Sequence, residues 1–282
     1  MTLSEAAAAG DLDQIRSLLA AGADPNAPDT EEDWPPLHEA AHANQVEAAR
    51  LLLDAGADMY APHYGGETPL VMAVQEGNLE VFRLLVERGC QIDPAQDNVP
   101  WMLTRAASGG RLEMVRWLLA QGAPVDATDF QGCTALTYAA KSDHLEILKE
   151  LLLAGANPNH RDEDNETVLM WAADHAGNAA VLRALLQAGA DVNATNDFGH
   201  TALTWAVRED DAEMVQVLLD AGVTVQPSDL SRAVYNGLAP AVRLLLEHGA
   251  QGTEEDLKVA RNRGHREVAE LLRQALTRPQ SN

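Results

Sequence analysis

A recurrence of about 33 residues runs through this chain and constrains its fold more than anything else in it. A Leu followed by small residues three and four positions on returns as Leu37-Ala40-Ala41, Leu70-Ala73-Val74, Leu103-Ala106-Ala107, Leu136-Ala139-Ala140, Leu169-Ala172-Ala173 and Leu203-Ala206-Val207. The steps are 33, 33, 33, 33 and 34. An apolar pair, two residues and a Gly keep the same period at Gly22, Gly56, Gly89, Gly122, Gly155, Gly189 and Gly222, and return once more after 27 residues at Gly249. Two independent landmarks in step make a chance pattern untenable.

Each unit has a physical reading. Thr68 and Thr134 stand where a first helix needs an N-cap, and Pro69 suits its first turn. Leu70, Ala73 and Val74 share one helical face, and their small size admits a second helix at close range. Val81, Leu84 and Leu85 give that second helix the same spacing. Gly89 follows, where a left-handed C′ residue is common. A polar run such as Ala190-Asp191-Val192-Asn193 and a turn signal, Asn196-Asp197-Phe198-Gly199, predict an extended loop or hairpin before the next pair. One such unit cannot bury its apolar face, but stacked neighbours can.

With Thr-Pro-Leu at 68–70 and Leu-Leu-x-x-Gly-Ala at 151–156, the unit resembles the ankyrin repeat. The resemblance implies an all-α ankyrin-repeat solenoid of about nine stacked helix-turn-helix units with β-hairpin-like finger loops. The last two units, spaced by 27 residues from Leu203 to Leu230 and from Leu230 to Leu257, lack the fingers. Residues 1–276 are expected to form a single ankyrin-repeat domain. It comprises an N-terminal cap (1–29), six full repeats (30–226), then two short finger-less repeats and a C-terminal cap (227–276), with a frayed tail at 277–282. Asn165 replaces a turn glycine, which the left-handed tolerance of Asn allows. Val99-Pro100-Trp101-Met102 departs from the family's Gly-x-Thr-Pro and predicts an irregular start to that first helix.

Composition narrows the function. The net charge of −23 repels phosphate backbones, so nucleic acid is not an expected partner. No apolar run is long enough for a membrane span, and the N-terminus carries no secretory pattern. The two cysteines, Cys90 and Cys133, make no disulfide framework. A cytoplasmic monomer without cofactors is expected.

One constellation imitates chemistry. His38-Glu39-Ala40-Ala41-His42 matches H-E-x-x-H, in which two histidines on one helical face hold zinc and the Glu acts as base. The resemblance implies the duller role: His38 occupies the family's structural Thr-Pro-Leu-His position, and Ala40 and Ala41 are packing residues. No third ligand is indicated, so a zinc peptidase is the remote alternative and no enzyme is expected.

The resemblance also implies that partners dock on a concave face built from finger tips and the exposed side of each first helix. The helix position two after the Leu landmark holds Glu39, Met72, Arg105, Tyr138, Trp171 and Trp205. Tyr138, Trp171 and Trp205 should therefore form a row, centred on the fifth to seventh units. Finger positions add Trp34, Tyr64, Trp101, Phe130 and Phe198, while Lys141, Asp174 and Arg208 follow the row on the same helices. Trp and Tyr dominate interface energetics. An aromatic row edged by carboxylates suits a protein or peptide of basic character. A non-catalytic protein-interaction scaffold is thus the leading expectation. An acidic decoy occupying the basic site of a nucleic-acid-binding protein is the alternative.

Overall fold

The computed structural model describes residues 1–28, 33–63, 67–90, 98–174 and 178–277, the side chains of 98–101 apart. These residues group into two compact units, Met1–Ala127 and Thr128–Asn282. The first holds α1 (Leu3–Ala9), α2 (Leu12–Ala20), α3 (Pro36–His42), α4 (Val46–Asp54), α5 (Pro69–Glu76), α6 (Leu79–Glu87), α7 (Asn98–Ser108) and α8 (Leu112–Ala120). The second holds α9 (Ala135–Lys141), α10 (Leu145–Leu153), α11 (Val168–Ala173), α12 (Ala179–Gln187), α13 (Ala202–Arg208) and α14 (Ala212–Asp220). It continues with α15 (Pro227–Asn236), α16 (Ala239–Glu247), α17 (Glu254–Arg263) and α18 (Arg266–Thr277).

Each unit is layered in the same way. First helices pack on first helices, α1 on α3, α3 on α5 and α5 on α7 in one unit, and α9 on α11, α11 on α13, α13 on α15 and α15 on α17 in the other. Second helices form a parallel layer, α2–α4–α6 and α10–α12–α14–α16–α18. The landmark residues make the seam: Leu136, Ala139, Leu203, Ala206 and Val207 are fully buried. Alanine there keeps neighbouring helices close while methyl groups fill the interior without cavities.

Local signals set the helix ends. Thr134 accepts from the Thr137 N–H, and Thr68 from the Val71 N–H, as N-caps. The glycine landmark adopts φ between 83° and 97° from Gly22 to Gly249, the left-handed region that only glycine enters cheaply. The helix that contains Val99–Met102 starts irregularly, as its sequence leads one to expect: its first residue lies well before the landmark Leu103, whereas α5 and α9 start immediately before Leu70 and Leu136. Helix α7 starts at Asn98 and runs 11 residues, with Pro100 in the first turn, where no intrahelical N–H is required.

Among the described residues the expected β-hairpin-like fingers are absent: no strand exists, only isolated antiparallel bridges between Thr128 and Thr134 and between Arg161 and Thr167. A side chain takes the donors that a ladder would use. Asp129 Oδ1 accepts from the N–H groups of Gln131 and Cys133 (2.9 and 3.0 Å). Asp162 Oδ1 accepts from Asp164 and Glu166 (3.0 and 2.9 Å), and Asn196 Oδ1 from Phe198 and His200 (both 3.0 Å). The loops are therefore tight turns wrapped around one carboxylate or amide. Asn165, at φ 57°, takes the turn position filled by Gly132 and Gly199 in the flanking copies. Between α14 and α15 the turn is absent, and residues 221–226 connect the helices directly.

Neighbouring repeats are registered by side chains that bond the next repeat's backbone. Asn159 Nδ2 donates to the Gly189 carbonyl (3.0 Å), and its Oδ1 accepts from the Asp191 N–H (2.7 Å). Asn26 makes the same pair of bonds with Gly56 and Asp58 (3.3 and 2.7 Å). At the equivalent place the Tyr60 hydroxyl donates to the Gly89 carbonyl (3.0 Å). In the finger-less part the link is different: the Thr204 hydroxyl donates to Asp229 (2.9 Å), and the Ser231 hydroxyl to Asp256 (3.1 Å). Asp229 also accepts from the Gln226 N–H (3.0 Å) and is wholly buried. Burial pushes its carboxyl above the ordinary range, against the pull of those two donors.

Two stability predictions follow from these bonds. Asn159→Ala removes two inter-repeat bonds, each worth about 0.5–1.5 kcal/mol net, so urea unfolding should lose roughly 1–3 kcal/mol. An unchanged urea midpoint would deny the amide its registering role. For Asp229, a raised native pKa means the folded state holds a proton that the unfolded state has released. Stability is thus lost as pH rises through the window above the ordinary Asp value. Asp229→Asn should gain on the wild type between pH 4 and pH 7 in parallel melts, and a difference that shrinks over that interval contradicts the assignment.

Candidate functional site

The second unit assembles most of the sequence-derived site. Tyr138, Trp171 and Trp205 lie half-buried on α9, α11 and α13, three helices packed in succession. Each ring lies nine residues after the turn residue of its own loop, and that spacing gives the site its chemistry. The Tyr138 hydroxyl donates to Asp129 Oδ2 (2.6 Å), with Gln131 Oε1 further off (3.4 Å). The Trp171 indole N–H donates to Asp162 Oδ2 (2.7 Å). One aspartate oxygen therefore holds the turn and the other holds the ring.

The third copy breaks the scheme. Asn196 replaces the aspartate, and its amide nitrogen donates to Glu166 Oε1 (3.3 Å). An amide nitrogen cannot accept from an indole N–H, and among the described residues the buried Trp205 Nε1 has no hydrogen-bond partner. The ring is set instead by neighbours. His200 meets it edge-on at 5.8 Å, and the Arg208 guanidinium stacks over it at 4.1 Å.

The cations after the row link one copy to the next. Lys141 of α9 places its Nζ 4.0 Å above the Trp171 ring on α11. Asp174, following α11, pairs with Arg208 of α13, which also bonds Glu209 Oε1 (3.0 Å). The protein's own cations thus cover the indole faces, Lys141 that of Trp171 and Arg208 that of Trp205. Carboxylates edge it. Burial raises the Glu166 pKa, and Asp162, Asp174 and Asp164 add to the rise while the Asn196 amide opposes it. Phe130 and Phe198 project from the turns, 82% and 79% exposed.

The remaining sequence candidates belong to the first unit. Trp34 is half-buried against His42, edge to face at 5.0 Å. Met72, at the row position of α5, is buried and presents nothing to a partner. Tyr64 and the side chain of Trp101 lie outside the described residues. Asp129, Asp162, Asn196 and His200 were not singled out as site residues from the sequence. The recurrent nine-residue gap between Asx and aromatic is the signal in the sequence that could have found the first three.

The H-E-x-x-H match resolves into two unrelated histidines. His38 is buried, and its Nε2–H donates to the Glu67 carbonyl (3.1 Å). Desolvation lowers its pKa and keeps the ring neutral. His42 is exposed, with Nδ1 3.6 Å from Glu76 Oε1. Among the described residues no group of three or more His, Cys, Asp or Glu is placed to hold a metal ion. Burial raises the thiols of Cys90 and Cys133 to about 11, which removes them from nucleophilic chemistry near neutrality. Among the described residues no helix is long and apolar enough to cross a membrane.

Comparison with known proteins agrees with this architecture. The family model for ankyrin repeats (3 copies) matches residues 3–96, 100–162, 149–229 and 169–256. Among curated proteins none matches the sequence. Among solved structures, the human ASB11 ankyrin repeat domain is 29% identical. The match covers 80% of this chain and 100% of that one, with a TM-score of 0.69. The chain therefore belongs to the ankyrin-repeat family, whose domains are non-catalytic scaffolds that bind proteins or peptides.

Proposed function

We propose that this chain, acting as a monomer, binds a basic-apolar protein segment on the strip formed by Tyr138, Lys141, Trp171, Asp174, Trp205 and Arg208, with Phe130 and Phe198 gripping from the turns. The observation that carries this reading is the placement of Lys141 and Arg208 over the two indoles. The ring faces already accept a cation, and the surrounding carboxylates favour another. An incoming Arg or Lys would exchange with an internal cation rather than create a new kind of contact. Phe130 and Phe198, anchored at the base by Asx turns, offer apolar surface that a partner can desolvate. The net charge of −23 speeds the approach of a basic partner and disfavours nucleic acid.

The reading predicts opposite effects from neighbouring substitutions. Trp171→Ala with Trp205→Ala should weaken capture of the partner from native lysate by about 30-fold or more, since each hot-spot residue contributes about 2 kcal/mol. Lys141→Ala with Arg208→Ala should strengthen capture, because it uncovers both indoles. Undiminished capture by the folded double-Trp variant sinks the assignment. Capture that ignores the Trp changes and collapses between 50 and 500 mM salt would favour the acidic decoy instead.

A further inference from the structure

The last helix pair carries a group of arginines, none of which belongs to the aromatic strip. Helices α17 and α18 carry five basic side chains, Lys258, Arg261, Arg263, Arg266 and Arg273, against five acidic ones, with Glu254, Glu255 and Asp256 held in the first turn of α17 and Glu267 and Glu270 on α18. Three of these arginines line a cavity of about 450 Å³ between α17 and α18, with Glu270 on its wall and Ala260, Gly264 and Ala269 completing it.

Arg261 is out of keeping with its place in the repeat. The same position in the preceding first helices, from Ala41 to Val234, is a small apolar residue no more than 5% exposed. Here it is an exposed guanidinium. Solubility alone would be met by any polar residue, including the Glu and Asp that predominate elsewhere.

The pairing inside the cavity is incomplete. Glu270 takes two bonds from Arg273, Nε to Oε2 at 2.9 Å and Nη2 to Oε1 at 2.7 Å, and a third from the Gln274 amide to Oε1 at 2.8 Å. The Arg273 bonds, with the Gln274 amide, hold its carboxyl down to about 2, so it remains charged. Arg261 and Arg266 have no carboxylate partner among the described residues. Three guanidiniums against one carboxylate leave a surplus of two positive charges.

We propose that this cavity binds a phosphate group carried on a protein side chain. A phosphorylated Ser or Thr brings about −1.5 to −2 charges at neutral pH, which matches the surplus, whereas one carboxylate would satisfy only one fork. The guanidinium of Arg273, oriented by Glu270, and the forks of Arg261 and Arg266 supply N–H donors to several phosphate oxygens at once. The walls are alanine and glycine, with no aromatic surface on which a nucleotide base could stack. A nucleic acid is excluded on different grounds. Its charge extends beyond the roughly 8 Å over which salt screens, into the field of a strongly acidic chain. The site shares no residue with the aromatic strip.

The test uses the full chain and three probes: the peptide acetyl-Ala-Gly-Ser-Gly-Ala-amide, the same peptide phosphorylated on serine, and inorganic phosphate. Calorimetric titration in 50 mM NaCl should give saturable binding of the phosphorylated peptide and at least tenfold weaker binding of the unmodified one. Arg261→Gln with Arg266→Gln should weaken the phosphopeptide at least tenfold while leaving the thermal melt unchanged. The proposal is overturned if the two peptides bind alike, or if the double variant binds as the wild type does. It is equally overturned if inorganic phosphate saturates the site and the phosphopeptide does not bind.

Discussion

The structure depends on how little space its seams allow. Where first helices meet, the side chains are Leu, Ala and Val with essentially no exposure, such as Ala139, Ala172 and Ala206. A methyl group is the largest thing that fits at most of these places, and adding methylenes to such a core typically costs about 1–3 kcal/mol. The narrow seam forces everything polar to the rims. It also fixes the step from one copy to the next, so residues at equivalent positions become neighbours whether or not they interact. Tyr138, Trp171 and Trp205 owe their adjacency to this geometry rather than to any affinity among the rings.

The periodic part of this design was legible in the sequence. The Leu-and-small-residue landmark, the Thr caps and the left-handed glycines each report a local requirement that recurs in every copy. Finger geometry was not legible in the same way. Asn196-Asp197-Phe198-Gly199 reads equally well as a hairpin tip and as an Asx turn, and the choice rests on whether a side-chain oxygen captures the turn's N–H groups. Asp129, Asp162 and Asn196 all do so. The placement of Lys141 over a ring in the next copy was likewise hidden. It depends on the torsions of a long side chain and on the step between copies, and neither is written in residue order. His38 shows the converse, since its place in the repeat implied a structural hydrogen bond, and the Glu67 carbonyl provides it.

Charge in this protein is organised, not merely abundant. The carboxylates that line the turns of the second unit do three jobs: they close loops, anchor rings and hold Arg208. Most exposed ion pairs elsewhere are helix-surface neighbours three residues apart, such as Glu113 with Arg116 and Glu146 with Lys149, and contribute little. Counting charges would treat the two groups alike. Burial and partner number separate them, and on that basis the carboxylates of Asp129, Asp162 and Asp174 stand apart from the rest.

The aspartates at 129 and 162 each serve as two devices in one side chain, one oxygen a bracket for the loop and the other a latch for the ring. Asparagine at 196 keeps the bracket and discards the latch. Loop shape and ring tethering can therefore drift independently along the array through a change of a single atom type. A scaffold with this property can retune the stiffness of one contact residue while its backbone stays where it was. Three consecutive copies here already sample both settings, with two tethered rings followed by one whose orientation is left to His200 and Arg208.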